Sequence, residues 1–282
     1  MWLYGRHAVL AAVGNPRRRL LRLVGLPATL AEVADSARRA PVARPRPEST
    51  DRHTLAHLLP PGAVHQGYAA LAEPLDEIEL ETLLASLDAA AAAVLLVLDQ
   101  ATDPRNVGTI LRSAAAFGAD GVIVQSRHAP PASGVLAKAA SGALEHVPLI
   151  RVVNIARTIR SLRDIGFVAI GLDAEADVTL ADAMRPNTSP HGLAMDTTRL
   201  ALVLGSEGEG LRRLVGEACD VAARIPIRAS VDSLNVAASA AIALYETRAE
   251  ASRARPAAAE STPADDTASR IRSPYRKSPG RG

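Results

Sequence analysis

The chain has 282 residues, 48% of them hydrophobic and 22% charged, with one cysteine, Cys219. That size predicts two folded units, and the composition is that of a soluble globular protein without a disulfide framework. Its longest apolar run, Ala89 to Leu98, is ten residues, about half of the roughly 20 that cross a bilayer, and no signal-peptide core opens the chain, so a cytoplasmic protein is expected. The net charge of +2 divides unevenly: Ser252 to Gly282 hold seven basic and three acidic residues, a formal +4, leaving −2 for Met1 to Ala251. Overall charge therefore excludes long-range steering of the folded part toward nucleic acid, and leaves only local patches or the tail to do it. One patch stands out: Arg6, Arg17, Arg18, Arg19 and Arg22 all precede the first acidic residue, Glu32.

In chain order, "MWLYGRHAVLAAVGNPRRRLLRLVGL" opens with an amphipathic helix, His7 to Val13, a turn at Gly14-Asn15-Pro16, and an apolar run suited to a strand. "APVARPRPEST" is a proline-rich loop, and His65 to Leu71, "HQGYAAL", reads as a closing strand. These make a small α/β module, 1–74. An acidic linker and a helix lead to a second unit, 75–251, where strands near 94–98, 121–125, 147–152, 167–172 and 200–204 alternate with helices at 106–117, 132–141, 154–165 and 209–217. Continuous apolar strands separated by helices predict a parallel sheet covered on both faces. A polar stretch, Asp173 to Arg199, carries one short helical signal near Leu180. An extended "VAARIPI" and a last helix, Asn235 to Ala251, complete the unit. From Ser252 onward no apolar period remains, and a disordered basic tail is expected.

Three loops at the C-terminal ends of strands carry the residues of chemical interest. In open parallel sheets that edge is where ligands bind. "GSEGEG", Gly205 to Gly210, sits where a nucleotide loop would, yet it lacks both the G-x-G-x-x-G spacing and the Lys-Ser/Thr of a phosphate loop. What its glycines imply is a backbone approached closely by something, with Glu207 at the turn; a plain strand-to-helix turn is the alternative. Asn106 opens one helix and Arg112 follows six residues later on an otherwise apolar segment, while Ser233 and Asn235 precede an alanine-rich helix. Helix capping explains Asn106 and Ser233 equally well, and a buried ion pair is the rival for Arg112. The seven histidines form no ligand constellation with cysteine or paired carboxylates, so no metal is assigned, and Cys219 reads as a small core residue.

Taken together, "NVGTILRSAAAFGADGVIV", "LALVLGSEGEGLRRLV" and "IPIRASVDSLNVAASAAIALYE" resemble, in order and spacing, the three signature motifs of the SpoU (TrmH-like) RNA ribose 2′-O-methyltransferases of the SPOUT superfamily. "KAASGALEHVPLIRVVNIARTI" also fits, and the likeness covers roughly 80–248. "YGRHAVLAAV" and "HQGYAAL" resemble the small ribosomal-protein-like RNA-binding domain of the branch acting on guanosine in bacterial 23S rRNA. The resemblance implies a parallel α/β sheet whose C-terminal part threads into a deep trefoil knot, a topology that ordinary chain-path reasoning would not propose. It further implies S-adenosylmethionine held by knot loops at Leu204, Gly205, Ser206, Gly208, Ile225, Ile227, Leu234 and Val236, and a homodimer with composite sites.

The implied catalytic set is Asn106, Arg112, Glu207, Ser233 and Asn235. The family arginine, here Arg112, is often assigned as general base. A guanidinium keeps its proton throughout the ordinary pH range, so clamping a phosphate and stabilising developing charge suits it better. Arg6, Arg17, Arg18 and Arg19 are the candidate contacts to RNA phosphates, and large-subunit rRNA is the expected partner. A tRNA methyltransferase, a resistance-type rRNA methyltransferase and a non-catalytic ribosome-assembly factor are the alternatives.

Overall fold

A computed structural model describes residues 1–87, 92–184, 199–206, 208, 210–228 and 233–254, the last seven as backbone only. Glu207 and the tail from residue 255 lie outside the described residues.

The first 72 residues build β1 (Trp2–Tyr4), α1 (Arg6–Gly14), β2 (Leu20–Gly25), α2 (Pro27–Arg39), β3 (Glu48–Ser49), α3 (Arg52–Leu58) and β4 (Tyr68–Ala72). Their sheet runs β1-β4-β2-β3, with β4 antiparallel to both β1 and β2. Local chemistry sets the helices. Gly5 turns into α1 at φ 87°, where an L side chain would be strained. Pro27 starts α2 with its φ already helical, and Asp51 caps α3 by accepting from the amides of His53 and Thr54. The expected helix and closing strand correspond to α1 and β4, and β1 and the short β3 are additions.

Residues 73–79 carry no helix or strand and lead to α4 (Leu80–Ser86). There follow β5 (Ala93–Leu98), α5 (Pro104–Phe117), β6 (Gly121–Gln125), α6 (Gly134–Ala140), a 3₁₀ turn (Ala143–Glu145), β7 (Leu149–Val152), α7 (Ile155–Asp164), β8 (Val168–Leu172), α8 (Leu180–Met184), β9 (Arg199–Leu204), α9 (Arg213–Gly216), β10 (Val221–Ala223) and α10 (Val236–Ala254). The six strands run in the order β10-β8-β9-β5-β6-β7, and every pairing is parallel. Both faces are buried, as the apolar runs predict: Leu96 and Leu98 face α5, α6 and α10, whereas Leu95 and Val97 face α4, α7 and α9.

Three local expectations are corrected. Asp103, not Asn106, caps α5, and Pro104 places the start two residues earlier than expected. The expected helix 209–217 shrinks to the four residues of α9, because Gly210 is at φ 67° and Arg212 remains extended. The last helix continues to Ala254 rather than ending at Ala251.

The N-terminal module packs against α5, α6 and the 3₁₀ turn in one continuous apolar cluster that includes Leu3, Val9, Val13, Leu136 and Leu144. An ion pair is sealed inside this junction. Arg18 Nη2 donates to Glu145 Oε1 at 2.6 Å, with side chains 0% and 2% exposed, and Asn15 Nδ2 donates to the other oxygen at 2.8 Å. Arg18 Nη1 donates to the Glu73 carbonyl at 2.9 Å. The reading of Arg18 as a phosphate contact is therefore corrected: a buried guanidinium must be fully paired, and this one is spent within the protein. Arg6, Arg19 and Arg22 are exposed but paired with Glu32, Glu73 and Glu48. Arg17 is exposed and has no ion pair among the described residues.

Candidate functional site

The C-terminal edge of the parallel sheet gathers the predicted residues. β5 and β9 end in register, Leu98 beside Leu204, so the next residues of both strands emerge together. Asp99 follows β5, is 1% exposed, and donates its amide to the Leu204 carbonyl at 2.8 Å. Its carboxylate accepts from the Arg212 amide at 3.1 Å, from Nε at 2.9 Å and from Nη2 at 2.5 Å. The hydrogen bonds from this carboxylate, and its charge, raise the proton affinity of Arg212 above the ordinary arginine value despite partial burial. Asp99 and Arg212 thus pin both ends of the glycine loop between them.

Within the loop, Ser206 and Gly210 exchange backbone hydrogen bonds at 3.0 and 3.3 Å. A Cβ on Gly205 would lie 2.1 Å from the Gly210 carbonyl carbon and 2.5 Å from the Leu211 nitrogen, so the position admits glycine alone without movement of the loop. That is the physical meaning of the glycines which the sequence left open: the chain folds back on itself and presents backbone groups.

Beside this hairpin lies a cavity of about 490 Å³, within the range of small-molecule sites. All eight positions read as cofactor contacts line it: Leu204, Gly205, Ser206 and Gly208 from the loop, Ile225 and Ile227 after β10, and Leu234 and Val236 at the start of α10. Ser233 joins them, and the segment after β8, with Asp173 and Glu175, closes the opposite side. Sequence reasoning missed Asp173, Glu175, Asp99 and Arg212, although Asp99 and Asp173 each directly follow an apolar strand at the ligand-binding edge, which was a usable signal.

Asn235, rather than Ser233, caps α10: its Oδ1 accepts from the Ala237 amide at 2.9 Å. Its Nδ2 donates to Asn106 Oδ1 at 3.2 Å, tying the start of α5 to the start of α10. Arg112 is not part of this cluster. Six residues carry it about one and two-thirds helical turns past Asn106, and it borders a separate groove of about 360 Å³ with His7, Ser141 and His146. It is exposed and has no ion pair among the described residues, which removes the buried-pair reading. Cys219 packs beneath the loop and donates to the Val215 carbonyl at 3.3 Å; burial pushes its thiol up to about 12, so it fills space and is no nucleophile.

No helix among the described residues is long and apolar enough to cross a membrane. Residues 93–245 match the SpoU rRNA Methylase family. The chain is 45% identical over 188 residues to the Escherichia coli K12 23S rRNA (guanosine-2′-O-)-methyltransferase RlmB, covering 66% of this chain and 72% of that protein. It is 36% identical over 248 residues, 86% of this chain and 94% of the other, to a Staphylococcus aureus protein provisionally named a TrmH family tRNA/rRNA methyltransferase. Among solved structures, the SpoU methyltransferase AviRb from Streptomyces viridochromogenes, in complex with AdoMet, superposes with a TM-score of 0.71 at 23% identity, covering 90% of this chain and 91% of that one.

Proposed function

The chain belongs to the SpoU rRNA methylase family, and from that premise we infer that it transfers the methyl group of S-adenosylmethionine to a ribose 2′-hydroxyl of 23S rRNA, at a guanosine, in the cytoplasm. The observation that carries this reading is the coincidence of eight predicted donor contacts on one cavity whose wall is a glycine hairpin. The cavity suits the donor chemically. Backbone groups of the hairpin would hold its adenosine part, the apolar Leu204, Ile225 and Val236 would cover its flat surface, and the carboxylates Asp173 and Glu175 would attract its positive charge. When bound, S-adenosylmethionine supplies a methyl group on a positively charged sulfur, which an oxygen can attack in line.

The protein's own work is positioning and charge. Ser233 on the cavity wall, and Asn235 with the Asn106 it bonds, are neutral hydrogen-bonding groups fit to hold a ribose with its 2′-oxygen toward the donor. Arg112 is assigned to the phosphate of the target nucleotide, where a fixed positive charge stabilises the alkoxide that develops as the hydroxyl proton passes to a base, for which the Glu207 carboxylate is the candidate. Because Arg112 borders another groove in the same chain, this role fits a homodimer with composite sites. The exposed Ile242 and Tyr245 on α10, 41% and 60% exposed, support that helix as the dimer face. Residues 1–74 are read as the RNA substrate-binding module, with Arg17 and the partly exposed Arg6 and Arg19 as its phosphate contacts, and 75–251 as the methyltransferase domain. The trefoil knot belongs to this reading. Its support is that β9 fills the place between β8 and β5, the chain then passes to the outer edge at β10, and α10 returns to pack on α5 and α8.

The test is incubation with labelled S-adenosylmethionine and unmodified large-subunit rRNA, followed by digestion to nucleosides. Label in 2′-O-methylguanosine is expected. Label on a base, or none in any RNA while donor binding is intact, overturns the reading.

A further inference from the structure

The donor cavity occupies only the β8–β9 half of the sheet's C-terminal edge. On the other half, beyond β6 and β7, lies a groove of about 300 Å³ lined by Gln125, Asn154, Arg160, Arg212, Arg213 and Leu214. We propose that this groove binds phosphates of the RNA strand whose ribose is being methylated, with Arg160, Arg212 and Arg213 as the contacts. The proposal rests on the reading of the chain as an RNA methyltransferase and adds a site to it.

Three observations carry it. Arg212 is held rigidly: Nε and Nη2 grip the buried Asp99, and Nη2 also donates to Gln125 Oε1 at 3.0 Å. Its side chain nevertheless remains 40% exposed, and Nη1 has no partner among the described residues. A guanidinium oriented by a buried carboxylate and an amide oxygen, with one edge left to solvent, is prepared for an anion before the anion arrives. Around it, Arg160 is exposed without an ion pair among the described residues, and Arg213, 76% exposed, shares only the exposed Glu217 one turn along α9 at 2.6 Å. Among the described residues, the carboxylates paired with groove-lining residues are thus Asp99, buried under Arg212, and Glu217 at the rim.

The second observation is the contrast in charge along one edge. Among the described residues, the donor cavity is lined by the carboxylates Asp173 and Glu175 and by no arginine, as suits a cationic donor, whereas the groove is lined by three arginines and no carboxylate, as suits an anionic strand. The third is continuity. Arg212 ends the same glycine loop that walls the donor cavity, and Asp99 anchors both, so a strand presenting its ribose to the cavity runs directly onto the groove. A phosphodiester backbone, rather than a base, is the matching partner, since each arginine offers a planar fork for phosphate oxygens and no aromatic side chain among the described residues lines the groove for stacking.

The experiment measures binding of fluorescent single-stranded rRNA fragments of two unrelated sequences by the full chain and by the double variant Arg160→Ala/Arg213→Ala, from low to moderate salt. S-adenosylmethionine binding is followed in parallel by calorimetry. Both RNAs are expected to bind more weakly, to the same degree, with the slope of log K against log salt flattened by about 1.4, roughly 0.7 for each lost phosphate contact on a single strand. Donor affinity should hold, and the Arg160→Lys/Arg213→Lys variant should recover the slope. An unchanged slope in the alanine variant, loss confined to one RNA, or loss of donor binding overturns the proposal while the methyltransferase reading stands. A wild-type chain that transfers no methyl group to RNA overturns that reading itself.

Discussion

The module junction and the ligand-binding edge of the sheet are each held by an arginine on a buried carboxylate, and the two pairs are built differently. At the junction Arg18 and Glu145 are both sealed, with side chains 0% and 2% exposed, and the guanidinium spends its donors on Glu145 and the Glu73 carbonyl. At the edge the acid alone is sealed: Asp99 is 1% exposed and Arg212 is 40% exposed. A pair buried on both sides can only hold two pieces of protein together. One buried on the carboxylate side fixes a loop and also aims a positive charge at solvent. The comparison separates an arginine used for architecture from one available to a ligand, a distinction that neither residue type nor position in the sequence conveys.

The largest effect should come at the junction. Glu145→Ala leaves the Arg18 charge buried without a partner and should cost about 3–5 kcal/mol of unfolding free energy in urea. The pair replacement Arg18→Met/Glu145→Leu should recover part of that loss, since the surrounding cluster is apolar while the buried Asn15 loses its carboxylate acceptor. A loss below about 1 kcal/mol for Glu145→Ala would mean that the junction opens to water and that the contrast with Arg212 is false.

Arg112→Ala tests the opposite kind of arginine, exposed and free of structural duty. Turnover should fall by about 10²–10³, the cost of removing one group that stabilises charge in the transition state, with melting temperature and donor affinity nearly unchanged. Weakened donor binding would instead place Arg112 in the donor site. At Gly205 the constraint is backbone proximity rather than charge. Gly205→Ala should weaken donor binding by on the order of tenfold or more, about 1.4 kcal/mol, read by calorimetry. Undiminished binding would show that the hairpin can move aside.

The smallest effect belongs to the exposed pairs. Arg22→Ala should cost less than about 1 kcal/mol, because its partner Glu48 is solvated. Hydrogen bonding from Arg22 holds the Glu48 carboxyl below its ordinary value. Its stabilising contribution is therefore present at neutral pH and fades as pH falls through the carboxylate range, and the variant should lose that fraction of the acid dependence. A larger loss would make the exposed arginines of the N-terminal module architectural, like Arg18.

Much of this was legible in the chain. The apolar strands and intervening helices gave the parallel sheet because burial on both faces leaves a continuous hydrophobic run that no other element requires at that length. The eight positions proposed as donor contacts were picked out through their motifs, and one cavity is lined by all of them. What was hidden is long-range pairing. Arg17, Arg18 and Arg19 are identical in type and adjacent, yet Arg18 points inward onto Glu145, 127 residues away, and only the docking of the two modules decides that. Asp99 and Arg212 are likewise 113 residues apart and meet because β5 and β9 end in register. Arg112 shows a different limit: it follows Asn106 by six residues in sequence, while the rotation about the helix axis brings it to a groove shared with His7 and His146.

The most direct test of the whole account is a map of ribose methylation across 23S rRNA from cells that lack this protein, complemented with either the wild-type chain or Arg112→Ala. One guanosine should lose its 2′-O-methyl group on deletion, regain it with the wild type and remain unmethylated with Arg112→Ala. An unchanged map on deletion would contradict the assignment of this chain as an rRNA ribose methyltransferase.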